Sequence, residues 1–222
     1  MPADAMFGNP SRGLRRPGKD DGPQVPLQVP CFTPGTRVAT PDGERLVHEL
    51  RAGDRVVTRD NGIQQIRWVG RCRMDWTQLA AAQHLKPVLI EAGALGNGLP
   101  ERDMLVSPQH RVLVANERTQ LYFNEREVLV AAKHLVNHRT IREADSPGVT
   151  YVHFMCDRHE VVLSNGAWTE SFQPADTTLR SMGNAQRLEL IELFPELGRQ
   201  GTGAAYGAAR RTLGRKEARM IV

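Results

Sequence analysis

From Thr36 to Phe172 the chain is written in short apolar runs cut apart by turn residues, and this pattern constrains the fold more than any other feature. Thr36 to Thr40 alternates, Pro41-Asp42-Gly43-Glu44 is turn chemistry, and Arg45 to Leu50 resumes the apolar spacing, which predicts a hairpin. Arg51 to Asp54 is a second turn, Arg55 to Thr58 a strand, Asp60-Asn61-Gly62 a turn that needs positive φ, and Ile63 to Val69 another strand. Between Met74 and Arg102 the pattern loosens into a helical turn at Leu79 to Leu85, a buried strand at Pro87 to Ile90 and a loop from Gly93 to Leu99. Strands then return at Met104 to Val106, Arg111 to Val114, Leu121 to Phe123 and Glu127 to Val130. A helical turn at Ala131 to Leu135 precedes strands at Tyr151 to Cys156 and Val161 to Leu163, and the Asn165-Gly166 turn closes the β region near Phe172. Many short strands joined by tight turns predict an all-β domain of sandwich or barrel-like character.

The flanks read differently. Residues 1 to 28 carry Pro and Gly at frequent intervals with no periodicity, the composition of a disordered leader. They hold no apolar stretch after a basic segment, so no ordinary secretory signal is expected. Beyond Gln173-Pro174 the period becomes helical, with Asn184 expected to cap a helix over Ala185 to Leu193 that stops at Pro195, and a second, basic helical pattern over Ala204 to Val222. The expected organisation is a leader over 1–30, a mainly β domain over 31–172 and a helical extension over 173–222.

Composition excludes several function classes. A hydrophobic content of 40% with 24% charged residues is that of a globular protein. Apolar runs such as Val128 to Ala132 fall far short of the roughly 20 residues that a membrane span needs. The net charge of +4 is spread along the chain instead of gathered on one face, which argues against nucleic acid as a partner. Three cysteines, at 31, 72 and 156, are an odd number without close pairing and predict free thiols in a reducing compartment. The expected location is the cytoplasm, or outside it by a route without a classical signal peptide. No C-x-x-C or comparable pair suggests a metal, and the Gly93 to Gly98 stretch precedes no phosphate-binding helix, so no cofactor is expected.

One residue stands out chemically. Cys31 sits in Val29-Pro30-Cys31-Phe32-Thr33-Pro34-Gly35-Thr36, where the leader meets the first strand. A thiolate is the strongest common side-chain nucleophile near neutral pH, and the Pro30 carbonyl is its covalent neighbour, so attack is intramolecular. Such an N-to-S acyl shift needs a donor for the departing nitrogen and a group to hold the developing oxyanion.

Cys31 opening a strand with Gly35-Thr36, then Leu50-Arg51-Ala52-Gly53-Asp54-Arg55-Val56, Ser107-Pro108-Gln109-His110, and Asp157-Arg158-His159 ahead of Asn165-Gly166, resembles the Hint domain shared by hedgehog autoprocessing domains and inteins. The likeness runs from Cys31 to about Phe172, and the Glu170 to Pro174 segment with the helical tail is similar to a bacterial branch of that family. The resemblance implies a compact, pseudo-twofold β horseshoe. It also implies that Cys31 attacks the Pro30–Cys31 peptide to form a thioester, and that Ser107 and His110 stand in the family's T-x-x-H positions against the scissile bond, with His110 the candidate acid. His159 falls where the family has a histidine for later steps, and His153 where inteins often carry an aspartate. Splicing inteins end in His-Asn, where this chain has Glu170-Ser171, so the resemblance implies N-terminal cleavage without splicing. The leader is then the substrate, with water or an unidentified nucleophile as acceptor.

A different class stays open beside this one: a Hint fold that has lost the chemistry and serves as a structural or binding module. Pro30 bears on the choice, because a prolyl acyl group is stiff and its thioester slow to exchange. A Cys-His hydrolase acting on other proteins is a third reading, and it requires an open cleft. Lone cysteines are ordinarily small buried hydrophobes, which is the reading for Cys72 and Cys156, and His48, His84, His134 and His138 read as surface groups.

Overall fold

The computed structural model of the 222-residue chain describes residues 29–174, 179, 182–198 and 206–221. The leader expected over residues 1–28 lies outside the described residues. In chain order the strands are β1 (Arg37–Thr40), β2 (Gly43–Leu46), β3 (Arg55–Val57), β4 (Ile63–Gln65), β5 (Trp68–Asp75), β6 (Val88–Ile90), β7 (Met104–Val106), β8 (Arg111–Val114), β9 (Val128–Ala131), β10 (Ile141–Glu143), β11 (Gly148–Met155), β12 (Val161–Ser164), β13 (Ala167–Glu170) and β14 (Thr212–Leu213). The helices are short: α1 (Trp76–Ala81), α2 (Glu117–Phe123), α3 (Ala132–Leu135), α4 (Asn184–Leu193) and α5 (Arg215–Ala218).

A seven-stranded sheet runs in the order β14-β9-β8-β13-β12-β1-β2, and its pairs are antiparallel except for β14 with β9. A second sheet is β10-β6-β7, and β5–β11 and β3–β4 form two-stranded ribbons. Phe32 joins two of these units. Its backbone bridges both Val106 of β7 and Val152 of β11, exchanging N–H···O bonds of 2.8 and 2.9 Å with Val152. The segment that begins at Cys31 is therefore threaded into the centre of the fold.

The turns explain the register. Asn165 and Gly166 both have positive φ (46° and 79°), the pairing that lets two central residues reverse a hairpin without splaying it, and they join β12 to β13. The Asn165 side chain accepts the Arg37 N–H at 2.8 Å and donates to the Asp103 carbonyl at 3.1 Å, so one turn pins β1 and the loop before β7. The positive φ at Gly166 strains any other residue there, and a Cβ would also lie 2.5 Å from Cγ of the exposed Glu101 side chain, which would have to move.

Three expectations need correction. Leu121 to Phe123 is not a strand but the end of α2: Asn116 accepts the Thr119 N–H at 3.0 Å while Thr119 reaches back to the Asn116 N–H, and this reciprocal cap starts a helix that Asn124 ends in the left-handed region. Leu121 and Tyr122 are consequently exposed. Asn184 opens α4 but does not cap it, since the cap position is Gly183 and carries no side-chain bond. Among the described residues of the Ala204 to Val222 stretch the helix is confined to α5. Residues 206–211 run irregularly and Thr212–Leu213 form a strand, because backbone pairing with β9 wins over helix propensity there.

The core draws on both ends of the described chain. Val29, Cys31, Trp68, Tyr151, Met155 and Phe172 pack with Leu190, Phe194, Leu197 and Tyr206, and a second cluster around Val88, Val106 and Val130 takes in Leu213, Ala218 and Ile221. No described helix is long and apolar enough to cross a membrane.

Candidate functional site

The Ser107-Pro108-Gln109-His110 spacing is a turn. The His110 N–H donates to the Ser107 carbonyl at 3.0 Å, with Pro108 at the position where a fixed φ suits a reverse turn. β7 feeds its first residue and β8 leaves from its last, so Ser107 and His110 are held at the two ends of one turn, with the His110 ring against Phe32.

Ser107 holds the backbone on either side of Pro30. Its Oγ accepts the Cys31 N–H at 2.8 Å and donates to the Val29 carbonyl at 2.9 Å, while its own N–H donates to the Cys31 carbonyl at 2.9 Å. Val29, Pro30 and Cys31 are all buried. The Cys31 sulfur lies 3.4 Å from Nδ1 of His153. Burial pushes the Cys31 thiol well up, with the neighbouring Cys72 adding to the rise, the Ser107 hydrogen bond opposing it and Glu170 raising it further. Burial pushes His153 down to about 3. Both partners are thus neutral near pH 7, and the tautomer with its proton on Nε2, an atom without a hydrogen-bond partner among the described residues, is the one that would let the thiol donate to Nδ1.

His153 is set by the β5–β11 ribbon. It lies across from Gly70, and its ring sits between Trp68 and Phe172 at centroid distances of 5.0 and 5.1 Å. A Cβ on Gly70 would fall 2.3 Å from both Nε2 of His153 and Cη2 of Trp68, so the two rings together occupy the space a side chain would need. The missing Cβ is a condition of the Cys31–His153 contact.

His110 is 1% exposed, and its ring packs 4.3 Å from that of Phe32. Neither ring nitrogen has a hydrogen-bond partner among the described residues. Burial, opposed by Glu170 and aided by Arg111, brings its pKa down to about 4. The ring neighbours the residue after the nucleophile, and no hydrogen bond joins it to Cys31.

His159 is engaged elsewhere. Its Nδ1 accepts the Ala209 N–H at 2.9 Å, which leaves the proton on Nε2, 3.1 Å from Oε2 of Glu170. Glu170 also accepts the Arg111 N–H and guanidinium, both at 2.9 Å, and its side chain is completely buried. Ser171 pairs with Glu160: its hydroxyl accepts the Glu160 N–H at 2.9 Å and its own N–H donates back to the Glu160 carbonyl at 2.8 Å. The sequence marks Glu170 only as a departure from the family's ending. Its partners, Arg111 and His159, lie on two other segments, so no local signal announces them.

The structure brings Cys31, Ser107 and His153 into one hydrogen-bonded group, sets His110 against its edge, and ties His159 to Glu170 and the C-terminal segment. All three cysteines are free, and no group of side chains among the described residues could hold a metal ion.

A family model described as the Hint domain matches residues 30–176. Among solved structures, the bacterial intein-like domain from Clostridium thermocellum aligns at 14% identity over 65% of this chain and 99% of its own, with a TM-score of 0.41. The gp41-1 intein aligns at 12% identity over 63% and 97%, with a TM-score of 0.37, and the MchDnaB-1 intein at 11% over 63% and 98%, with a TM-score of 0.38. No curated protein matches. Because the family model covers more than half of the 222 residues, the chain belongs to the Hint domain family.

Proposed function

We propose that this chain is a self-processing Hint domain that cleaves its own Pro30–Cys31 bond through a thioester and does not splice. The observation that carries the reading is the single group in which the Cys31 N–H rests on Ser107 while the Cys31 sulfur rests on Nδ1 of His153. As the sulfur attacks the Pro30 carbonyl carbon, the thiol proton passes to Nδ1. A carbon–sulfur bond forms, the Pro30–Cys31 carbon–nitrogen bond breaks, and His153, now an imidazolium, has the proton that the departing Cys31 nitrogen requires. His110 is neutral near pH 7, so it serves by polarity beside Phe32 and supplies no ready-made imidazolium. Ser107 aligns the peptide by gripping the N–H on one side of the bond and the Val29 carbonyl on the other. Water, or an added nucleophile, then releases the leader from the thioester.

Splicing is disfavoured because Glu170 and Ser171 stand in the terminal positions and both are committed to internal hydrogen bonds. The burial of Cys31, only 1% exposed, favours a second reading as an inactive structural module, since an outside nucleophile must reach a covered sulfur. Intact-mass measurement of the purified chain with and without a strong thiol decides between them. The expected result is loss of residues 1–30 and a new amino terminus at Cys31, abolished in Cys31→Ala. Full mass after prolonged thiol treatment, in wild type and Cys31→Ala alike, would sink the cleavage reading.

A further inference from the structure

We propose that the cleft between α3 and α5 is a binding site for a small, multiply charged phosphate such as inorganic pyrophosphate. Its walls are Lys133, His134, Val136, His138, Glu143, Arg215 and Arg219, around a cavity of about 410 Å³. Two arginines, one lysine and two histidines therefore face one carboxylate. Several Arg and Lys side chains elsewhere on the surface are paired with acids: Arg59 and Arg210 with Glu127, Lys86 with Asp145, Arg102 with Glu44, Arg211 with Glu217. None of the five basic side chains of the cleft makes a hydrogen bond or ion pair with any described residue. Among the causes that lower His134, burial comes first and the charges of Lys133 and Arg215 follow, so the groups crowd one another electrostatically.

The cleft is assembled from distant parts of the chain. α3 leaves the buried end of β9, with the Lys133 N–H fixed on the Pro108 carbonyl at 3.0 Å, and α5 is carried there by β14, which pairs with β9. Ala132, Leu135 and Ala218 are buried in one apolar cluster beneath it, so the cationic side chains rise from a fixed floor. Converging cations without carboxylate partners form a site in which an anion relieves repulsion as well as gaining charge-assisted hydrogen bonds. Arg215 and Arg219 supply planar forks suited to phosphate oxygens, Lys133 a point charge. The cavity admits a pyrophosphate and is too small for a nucleic-acid duplex, whose groove-tracking proteins need an extended basic face.

The test is calorimetric titration of the full chain with pyrophosphate at low ionic strength. Saturable one-to-one binding that weakens as salt is raised is expected. Arg215→Ser/Arg219→Ser should weaken it by about tenfold or more. Glu143→Gln should tighten it. Arg37→Ser/Arg55→Ser, which removes the same charge from exposed strand positions remote in the sequence, should leave it unchanged. Absence of saturable binding, or equal weakening by the two double variants, would overturn the proposal, and neither outcome depends on whether the Pro30–Cys31 bond is cut.

Discussion

At the scale of single residues, the chemistry turns on whether a buried, neutral Cys31–His153 pair can react. Replacing His153 with Ala removes the only group among the described residues that is hydrogen-bonded to the sulfur, and leader release should slow by about 10² to 10⁴-fold, the usual range for losing an acid–base group. Gly70→Ala leaves both reactants in place but drives a methyl into the space of Nε2, so it should displace the ring and slow release by roughly 10²-fold, as small misplacements do. Rates from the time course of intact mass measure both, and wild-type rates in Gly70→Ala and His153→Ala alike would show that His153 is not the working base. Ser107→Ala should cost less in rate. It strands the buried Cys31 N–H, however, and should lower stability by about 1–3 kcal/mol.

His153 and His110 also set a pH dependence. Burial lowers His153 to about 3 and His110 to about 4, both below the ordinary value of 6.5. The unfolded chain therefore binds protons more readily between these values, so the stability they contribute is fully present above about pH 6.5 and is lost as pH falls towards 4 and then 3. Chemical denaturation between pH 7 and pH 4 should show a steady decline, shallower in His153→Gln, which cannot titrate. The rate of release should instead be nearly flat from about pH 5 to 8, because the thiol keeps its proton and the imidazole stays neutral throughout. A tenfold rise per pH unit would mean that a free thiolate attacks without the help of His153.

At the scale of elements, Glu170 at the end of β13 ties together pieces that the sheets alone do not. It receives β8 through Arg111, the loop before β12 through His159, and through His159 the C-terminal segment at Ala209. Glu170→Gln keeps the shape but removes the charge and sets an amide against donors, and a loss of about 3 kcal/mol is expected, the scale for breaking a buried ion pair. Urea denaturation measures it, and an unchanged midpoint would mean that the network is dispensable. Ser171→Ala, one residue on, should leave release unaltered.

Elements were legible where local chemistry decides them. The β1–β2 hairpin, the Asn165-Gly166 turn and the α3 turn follow from nearby residues, and the Ser107 to His110 spacing is a turn that needs nothing distant. Leu121 to Phe123 misled because an apolar triplet reads as a strand until the Asn116–Thr119 cap is weighed. The contact of His153 with Cys31 was out of reach for a different reason: it depends on Phe32 pairing with Val152 and on the empty side of Gly70, and neither pairing is written in the local pattern.

At the scale of the whole molecule, the question is whether residues 173–222 are an appendage or part of the domain. Tyr206 donates its hydroxyl to the Cys156 carbonyl at 2.8 Å, Arg210 bonds Asp60 at 2.7 Å and Glu127 at 3.0 Å, and the Arg211 carbonyl accepts the Leu129 N–H at 2.9 Å. Leu213, Ala218 and Ile221 complete the cluster built on β6, β7, β8 and β9. Burying a leucine or isoleucine is worth about 1.5–3 kcal/mol, and domains of this kind are stable by only about 5–15 kcal/mol. Removing residues 206–222 would uncover the β9 edge, strand the Leu129 N–H and free the Nδ1 of His159 together. A chain ending at residue 205 should therefore melt at least about 10 °C lower, or lose its cooperative transition, since each kcal/mol moves the midpoint of a protein of this size by about 2–4 °C. Thermal unfolding followed by circular dichroism reads this directly, and amide exchange at Leu129 reports the edge. A shortened chain with the full-length midpoint and a protected Leu129 amide would show that the β domain stands by itself and that the C-terminal segment only leans on it.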